Sequence, residues 1–456
     1  MQKSLTKENR LTEGNIWKQI IVFVLPLLAS SLIQQLYNTV DLIFVGQFLD
    51  KNASIAVGSG SLLIACIINF FTGLSVGAAV ITGNAYGAAD EDTISKVIHT
   101  SVIMSLFAGI VLAIIGVAGA PVFLVWSKIP SEILPLGVTY IRIYFLSIFS
   151  IVFFNMNSGI LRALGDSRMP MIYQLIGGIT NIFANYLFIA VLELGVAGAA
   201  YATLASQTVA AVLTVRKLTK LPDGYRLKIK KIKADMQILG RIIKIGFPTG
   251  IQSMVLTFSN LVVQSNINML EVTSIAAFVV YFKVELFVYL PIQAIGQATM
   301  TFVSQNFGAR IYERARKGIR CCIIIGIITS VLIVVILFNI ANPVMALFTR
   351  DTEVMNVCYE IIKITFPFYF IYVFLETFSN ALRGTGKSFG PMIITIINMC
   401  GVRVVLVTII MMIIHSATGI AMVYPITWFC SAACMAGYYW FSNCLHQRNK
   451  ENQTCA

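Results

Sequence analysis

Long apolar stretches alternate with short polar segments along almost the whole chain. A helix of about 20 apolar residues crosses a hydrocarbon core of about 30 Å, and twelve stretches reach that length. They lie at residues 16–45, 54–83, 97–125, 133–161, 170–193, 196–218, 238–268, 274–304, 319–347, 355–382, 391–414 and 417–444. The pattern predicts an all-α integral membrane protein of twelve transmembrane helices, without a separate globular module.

The composition indicates the same class. Of the 456 residues, 57% are hydrophobic and 12% are charged, whereas soluble domains carry roughly 25% charged residues. A soluble enzyme is therefore excluded. The sequence contains no H-E-x-x-H motif, and no cysteine or histidine spacing that is typical of a metal site. We predict that the protein is not an enzyme and that it uses no metal or other cofactor.

The basic residues are distributed unevenly. Most of the 33 lysines and arginines fall in the two tails and in alternate loops. Cytoplasmic loops of membrane proteins are rich in lysine and arginine, so this asymmetry predicts that both termini are cytoplasmic. Because topology accounts for the net charge of +13, we expect no nucleic-acid partner. We expect a multi-pass protein of a bacterial plasma membrane.

The second half of the chain repeats the first. At an offset of 221 positions, residues 161–171 align with residues 382–392 through the shared pattern L-R-x-x-G-x-S-x-x-P-M. At 222 positions, Pro26 aligns with Pro248. Agreement at nearly one offset along the chain indicates two six-helix halves. Because six is even, both halves run in the same direction, and we expect two lobes related by a pseudo-twofold axis along the membrane normal.

The repeat also gives the predicted domain bounds. The N-lobe comprises residues 1–218 with the first six helices, and the C-lobe comprises residues 238–456 with the last six. Residues 219–237 form a basic cytoplasmic linker between them. Such a segment either binds anionic lipid headgroups or is a solvated linker that follows the charge rule.

Only three of the 20 acidic residues lie well inside a predicted helix, namely Asp41, Glu285 and Glu376. An ionisable group at membrane depth costs at least ~3 kcal/mol, so each marks a candidate functional site. Lys283 lies two positions from Glu285 and so on another side of the helix. Arg403, on the helix after that of Glu376, can neutralise Glu376 either permanently or only in one state of the protein.

The first predicted helix carries Gln34, Tyr37, Asn38 and Asp41 on one face, by i, i+3 and i+4 spacing. A polar face of this kind does not point at lipid. A carboxylate in a cavity of low dielectric can hold a proton, a sodium ion or a cationic substrate, and these states compete. Alternatively, Asp41 is a packing group that its neighbours neutralise.

The fifth predicted helix carries Asn181 and Asn185 on one face, four positions apart. Amide oxygens suit a hard cation or a hydrogen-bond relay. Alternatively, the two amides only hold helices together by hydrogen bonds.

Several of these motifs together resemble one known family. They are Pro26 in the first helix, Y-N-x-x-D-x-x-F-V-G from Tyr37 to Gly46, Q-N-F-G-A from Gln305 to Ala309, and L-R-x-x-G-x-S-x-x-P in both halves. The combination is similar to the multidrug and toxic compound extrusion (MATE) family, and the similarity covers nearly the whole chain. The resemblance implies two lobes around a central cavity, and export of cationic or amphipathic compounds against an inward flow of H⁺ or Na⁺.

The resemblance also assigns roles to residues. Asp41 falls on the first-helix acid of the proton-coupled, DinF-like branch, and Pro26 on the proline at which that helix bends. Asn181 and Asn185 fall on a fifth-helix polar pair, in which the second residue is usually aspartate. The implied cation-coupling residues are Asp41, Asn38, Asn181 and Asn185. The implied polar residues of the substrate cavity and C-lobe are Gln34, Tyr37, Lys283, Glu285, Glu376 and Arg403.

Two other functions are also compatible with the sequence. One is a lipid-linked glycan flippase of the same superfamily, which Lys283 and Arg403 favour because basic side chains bind pyrophosphate. The other is the export of an endogenous metabolite. The expected partners are small cationic or amphipathic substrates and membrane lipids, and we expect a monomer because one chain supplies both lobes.

Overall fold

The computed structural model describes residues 10–127, 129–442 and 445, and all regular secondary structure in these residues is helical. The α-helices are α1 (Ile16–Phe48), α2 (Lys51–Ser59), α3 (Ser61–Gly87), α4 (Glu91–Trp126), α5 (Leu134–Ala163), α6 (Arg168–Asn185), α7 (Gly195–Thr219), α8 (Met236–Ile267), α9 (Val272–Gly308), α10 (Tyr312–Asn339), α11 (Ala341–Ala346), α12 (Thr352–Thr365), α13 (Tyr369–Gly384), α14 (Phe389–Thr395), α15 (Arg403–Ile413) and α16 (Ala417–Ser442). Two π-helical segments, Tyr186–Val191 and Ile396–Val402, follow α6 and precede α15. The predicted all-α class is confirmed.

Eleven helical segments of the described chain are long and apolar enough to cross a membrane, one fewer than the sequence predicts. The difference lies at the predicted seventh span, residues 238–268. This span forms the continuous helix α8 but is too polar to qualify. Gln252, Ser259, Asn260 and Gln264 lie in its second half and lower its hydropathy.

The outward-facing surface of the long helices is apolar, as contact with lipid requires. On α4, the exposed fractions of Phe107, Val122 and Trp126 are 71%, 72% and 80%. The buried face of the same helix carries small and hydroxyl-bearing residues: Thr100, Ser101, Ser105, Gly109 and Gly116. Small residues let membrane helices approach closely, and this arrangement reverses that of a soluble protein.

Contacts divide the described chain into two units. Unit 1 contains residues 10 and 26–250, and unit 2 contains residues 11–25, 251–442 and 445. The divisions fall inside helices, in α1 before Pro26 and in α8 after Gly250. The first part of α1 therefore packs in unit 2, and the first part of α8 packs in unit 1. The predicted lobes, by contrast, divide the chain at the linker.

Within unit 1, glycines bring α3 and α8 into close backbone contact. Gly73 and Gly77 of α3 face Gly246 and Gly250 of α8, so both helices carry a G-x-x-x-G pattern. A Cβ atom at Gly77 would lie 2.2 Å from the carbonyl oxygen of Ile242, and one at Gly246 would lie 2.3 Å from that of Leu74. No side chain fits at these distances, so the glycines determine the packing.

The backbone repeats the pattern found in the sequence. Six of the eight residues with a positive φ in the described chain form pairs that are separated by 221 or 222 positions, and each pair follows a helix. The pairs are Ala89 with Arg310, Gly165 with Gly386, and Glu193 with His415. Gly165 and Gly386 share the same φ of 87°. The two halves therefore form the same turns at matching places.

The predicted linker, residues 219–237, belongs to unit 1 and packs within it. The side chains of Tyr225 and Leu227 are buried. The N–H of Lys228 donates to His99 Nε2 at 3.1 Å. The basic side chains around them are exposed: Lys220, Arg226, Lys228, Lys230, Lys231 and Lys233. The backbone of this segment is thus fixed while its charges face outward.

The glycine contacts of α8 give a first prediction. We expect Gly246→Ala to lower the free energy of unfolding by about 1–3 kcal/mol, because the added methyl group overpacks the contact with Leu74. Gly240→Ala is the matched control, since no atom lies within 4 Å of a Cβ there. It should be neutral, or stabilising by up to about 1 kcal/mol through helix propensity. Thermal unfolding of the purified protein in detergent measures both, and equal midpoints would contradict the packing argument.

Candidate functional site

The intramembrane acid of the first helix takes part in a hydrogen-bond chain in unit 1. Asn185 Nδ2 donates to Asp41 Oδ1 at 2.6 Å and to Asn181 Oδ1 at 2.9 Å. The two asparagines lie on α6 and are fully buried, while Asp41 on α1 is half-buried. The structure therefore brings together three of the four predicted cation-coupling residues.

The carboxylate of Asp41 has no basic partner, since no ion pair in the described part of the chain includes it. Its partner Asn185 supplies a hydrogen-bond donor but no charge. In addition, Asn185 Oδ1 is buried without a hydrogen-bond partner. A charge in a low-dielectric environment needs an opposite charge. The cluster is therefore suited to hold a proton or a cation.

Helix α6 changes its geometry directly after this cluster. From Tyr186 to Val191 the chain is π-helical, and the N–H of Leu192 donates to the carbonyl of Leu187 at 2.9 Å. Such segments occur often at functional sites, where they rotate the following side chains.

The four polar residues of the α1 face differ in their burial. Tyr37 is buried, its hydroxyl lies 2.6 Å from Ser206 Oγ on α7, and Gln207 Nε2 donates to it at 3.2 Å. Gln34 and Asn38, by contrast, are exposed. Because the four predicted positions cover a broad arc of the helix, only Tyr37 and Asp41 turn into unit 1.

Pro26 lies at the division of α1 between the two units. The helix continues through it, although proline has no N–H to donate to the carbonyl of Val22. This missing hydrogen bond weakens the helix at the place where its two parts belong to different units.

In unit 2, Glu285 is bound by an aromatic hydroxyl. The hydroxyl of Tyr369 on α13 donates to Glu285 Oε1. The Tyr369 ring contacts that of Trp428 on α16, with 4.7 Å between the ring centroids. Lys283 is exposed and makes no ion pair with Glu285, in agreement with their two-residue spacing. Sequence reasoning missed Tyr369, because it lies 84 positions from Glu285.

Glu376 belongs to a different network from the predicted one. Its Oε1 accepts a hydrogen bond from Asn380 Nδ2 at 2.8 Å, and Arg383 Nη1 donates to Asn380 Oδ1 at 3.4 Å. Arg383 Nη2 also donates to Gln252 Oε1 at 2.8 Å. No ion pair of the described residues joins Glu376 to Arg403, so the permanent form of the suggested pairing is absent here. Arg383, seven residues further along the same helix, supplies the nearby positive charge.

Arg403 is buried near uncharged groups. Its Nη2 contacts Met399 Sδ at 2.8 Å, and both Nε and Nη2 lie 3.4 Å from Thr427 Oγ1. The guanidinium carbon also lies 5.1 Å from the ring centroid of Tyr424. No ion pair of the described residues includes Arg403.

A further polar group, which sequence reasoning missed, anchors the start of α1 in unit 2. The N–H of Leu11 donates to Gln305 Oε1 at 2.9 Å, and Asn306 Nδ2 donates to the Leu11 carbonyl at 3.2 Å. Arg314 donates to the Leu11 carbonyl at 3.2 Å and to Gln19 Oε1 at 2.8 Å. The signal in the sequence was the Q-N-F-G-A run, two polar residues at the end of an apolar helix.

A model of the MatE family matches residues 26–187 and 248–409, which together are more than half of the chain. The chain belongs to this family, multidrug and toxic compound extrusion (MATE). The two matched segments start at Pro26 and Pro248, 222 positions apart, so the family match follows the internal repeat. Members of the MATE family are transporters, which supports the prediction that the protein is not an enzyme.

Named relatives align over most of the chain. The probable multidrug resistance protein YoeA of Bacillus subtilis is 26% identical, over 94% of this chain and 95% of its own. The probable multidrug resistance protein NorM of Thermotoga maritima is 26% identical, over 85% and 84%. The solved outward-facing structure of a multidrug resistance MATE family transporter superposes with a TM-score of 0.89 at 23% identity, covering 97% of this chain and 99% of that one. The match confirms the predicted fold, twelve transmembrane helices in two lobes.

The Asp41 cluster gives a second prediction. We expect Asn185→Ala to lower the free energy of unfolding by about 1–3 kcal/mol, because it removes the donor to Asp41 and leaves the carboxylate unsatisfied. The matched control is Asn38→Ala on the exposed side of α1, with an expected change within about 0.5 kcal/mol. Thermal unfolding in detergent distinguishes them. Equal midpoints would show that the hydrogen bond contributes nothing to stability.

Proposed function

We propose that the protein is a secondary active efflux transporter that exports cationic or amphipathic compounds in exchange for H⁺ or Na⁺. Family membership and the names of the relatives support efflux transport. The observation that carries the proposal is Asp41, a half-buried carboxylate on a membrane helix with amide partners and no basic partner. An ion or a substrate that supplies positive charge completes this site.

Competition at one carboxylate couples the two fluxes. When Asp41 holds a proton or a sodium ion, its negative charge is neutralised and a cationic substrate loses its attraction. When the ion leaves, the carboxylate again attracts a cation. Because both ligands need the same charge, they are exchanged rather than carried together.

Asn185 sets the number of charges at this site. At this position the resemblance to the family implies aspartate, but this chain has an amide that donates to Asp41 Oδ1 and to Asn181 Oδ1. An amide does not titrate, so the cluster contains a single ionisable group. We therefore propose that unit 1 exchanges one positive charge per cycle. If Na⁺ is the coupling ion, Asn185 Oδ1, which has no hydrogen-bond partner, is an available ligand.

Pro26 is the proposed hinge through which the charge state of Asp41 acts on the fold. The start of α1 is held in unit 2 by Gln305 and Arg314, while Asp41 belongs to unit 1. A change in the direction of α1 is easiest where a backbone hydrogen bond is already missing. We further propose that both termini face the cytoplasm, that one chain is the transporting unit, that lipids contact its basic linker, and that only the transported ion drives the cycle.

The third prediction concerns Asp41. In liposomes that contain the purified protein, we expect an imposed pH gradient or sodium gradient to drive efflux of an ethidium-like cationic dye. Asp41→Asn should reduce this efflux to the level of empty liposomes while leaving the unfolding midpoint near that of the wild type. Asp92→Asn is the control, since Asp92 is exposed and pairs with Lys96 on the surface of α4.

Each outcome of this experiment has a meaning. The gradient that drives wild-type efflux identifies the coupling ion. Gradient-driven efflux that persists in Asp41→Asn would refute antiport through this residue. If neither gradient drives dye efflux from correctly folded wild-type protein, the reading as a drug exporter fails, and assays with lipid-linked sugars and metabolites test the two other transport functions.

The fourth prediction concerns Pro26. We expect Pro26→Ala to restore the helical hydrogen bond of Val22, to stiffen α1, and to reduce dye efflux at least tenfold without lowering the unfolding midpoint. Pro121→Ala is the matched control, because Pro121 also lies inside a long helix but within unit 1. The same assay measures both variants. Equal efflux from both would show that α1 does not bend at Pro26.

A further inference from the structure

The positive charge of Arg403 is buried inside unit 2 without an ion-pair partner among the described residues. Its exposed fraction is only 4%. Of its five N–H groups, three point at weak acceptors, namely the thioether of Met399 and, at 3.4 Å, the hydroxyl of Thr427. The two hydrogens on Nη1 have no hydrogen-bond acceptor among the described residues. A guanidinium is always charged, and burial without an opposite charge costs several kcal/mol.

The acids of unit 2 do not remove this cost. Glu376 is bound by Asn380 and lies near Arg383. Glu285 accepts from the hydroxyl of Tyr369, and it interacts with Arg403 electrostatically but not as an ion pair. The positive charge of Arg403 is therefore only partly balanced. By the reasoning applied to Asp41, such a site is suited to a ligand of opposite charge.

The repeat relates this position to the Asp41 cluster. Arg403 lies 222 positions after Asn181, and Thr427 lies 221 positions after Ser206, which contacts Tyr37. In unit 2 a valine, Val263, stands 222 positions after Asp41. The same junction of helices thus holds an acid in unit 1 and a base in unit 2. A π-helical segment adjoins both, after Asn185 and before Arg403.

We propose that unit 2 binds a small monovalent anion, a carboxylate or a halide, at Arg403. This site goes beyond the proposed cation exchange at Asp41 and does not depend on it. The ligand accepts hydrogen bonds from Nη1 and supplies the missing negative charge. A carboxylate can belong to a free small acid or to a zwitterionic transported compound, whereas a halide comes from the medium.

The residues around Arg403 fix the orientation of its guanidinium plane. The guanidinium lies against the face of Tyr424, whose ring centroid lies 6.0 Å from that of Trp428. Stacking on an aromatic face keeps the guanidinium plane in place and leaves its edge for a ligand. The negative charge of Glu285 opposes the anion, so removing that charge tightens binding. Arg403 and Glu285 therefore act on the same ligand with opposite signs.

The experiment uses Trp428 as a reporter in the purified full-length protein. Trp17, Trp126 and Trp440 are exposed and are replaced by phenylalanine, so that the buried Trp428 gives the fluorescence. Bromide, a heavy-atom quencher, is titrated into the sample. We expect quenching that saturates. Arg403→Gln should weaken the apparent affinity at least tenfold, Arg403→Lys should weaken it less, and Glu285→Gln should strengthen it.

Arg383→Gln is the matched control. Arg383 is the other arginine among the polar groups of unit 2, but it lies near the carboxylate of Glu376 and donates to Gln252 and Asn380, so its removal should leave bromide affinity within about twofold of the wild type. Competition by chloride or by acetate then distinguishes a halide site from a carboxylate site. Stronger competition by acetate than by chloride assigns a carboxylate, and stronger competition by chloride than by acetate assigns a halide.

The proposal is overturned if quenching rises linearly with bromide and has the same slope in the wild type and in Arg403→Gln. It is also overturned if Glu285→Gln binds bromide more weakly than the wild type. If Arg403→Gln does not fold, Arg403→Lys and Glu285→Gln still decide, because they are expected to change the affinity in opposite directions. The assay measures binding without a gradient, so failure here is independent of failure of dye efflux.

Discussion

The low dielectric of the membrane, in which an unbalanced charge is costly, is the constraint that organises the polar residues of this protein. Most charged groups inside the helices satisfy it locally. Glu376, Asn380 and Arg383 form one network, and Tyr369 binds Glu285. Asp41 and Arg403 satisfy it least, because the hydrogen bonds of each go only to uncharged groups. Glu285, which is likewise bound by an uncharged hydroxyl, balances only part of the Arg403 charge. A charged ligand that binds at Asp41 or at Arg403 therefore removes more of the cost of unbalanced charge than it would elsewhere in these networks.

The two halves keep the same backbone but differ in their polar residues. Positive φ angles recur at Gly165 and Gly386, and prolines recur at positions 26 and 248. A turn or a kink depends on residue types that few substitutions can replace, so these positions resist divergence after a duplication. A buried polar side chain is not constrained in this way. Position 181 is asparagine, and its repeat partner at 403 is arginine. Divergence at such positions gives two like-folded units different ligand chemistry.

The sequence predicted the helices and the faces that carry polar residues, because both depend on local periodicity. It also predicted that Asp41, Asn181 and Asn185 share polar chemistry, although not that Asn185 would be the donor between them. It did not predict partners on other helices. Tyr369 meets Glu285, and Arg383 takes the place that Arg403 was expected to fill. Which residues meet depends on how each helix is rotated about its axis, and close glycine contacts such as Gly77 with Ile242 set that rotation. The periodicity of apolar residues gives only the approximate rotation of a helix about its axis.

Helix α1 carries both the Asp41 carboxylate and Pro26, where its backbone lacks a hydrogen bond. Its start is held in unit 2 by Gln305, Asn306 and Arg314, whereas Asp41 is bound in unit 1. A ligand that changes the charge of Asp41 therefore changes contacts at one end of a helix whose other end is fixed elsewhere. A rigid helix would transmit that change undiminished, and a freely flexible one would not transmit it at all. A continuous helix that lacks one hydrogen bond at Pro26 lies between these limits, which is the property required of an element that couples ion binding to a conformational change.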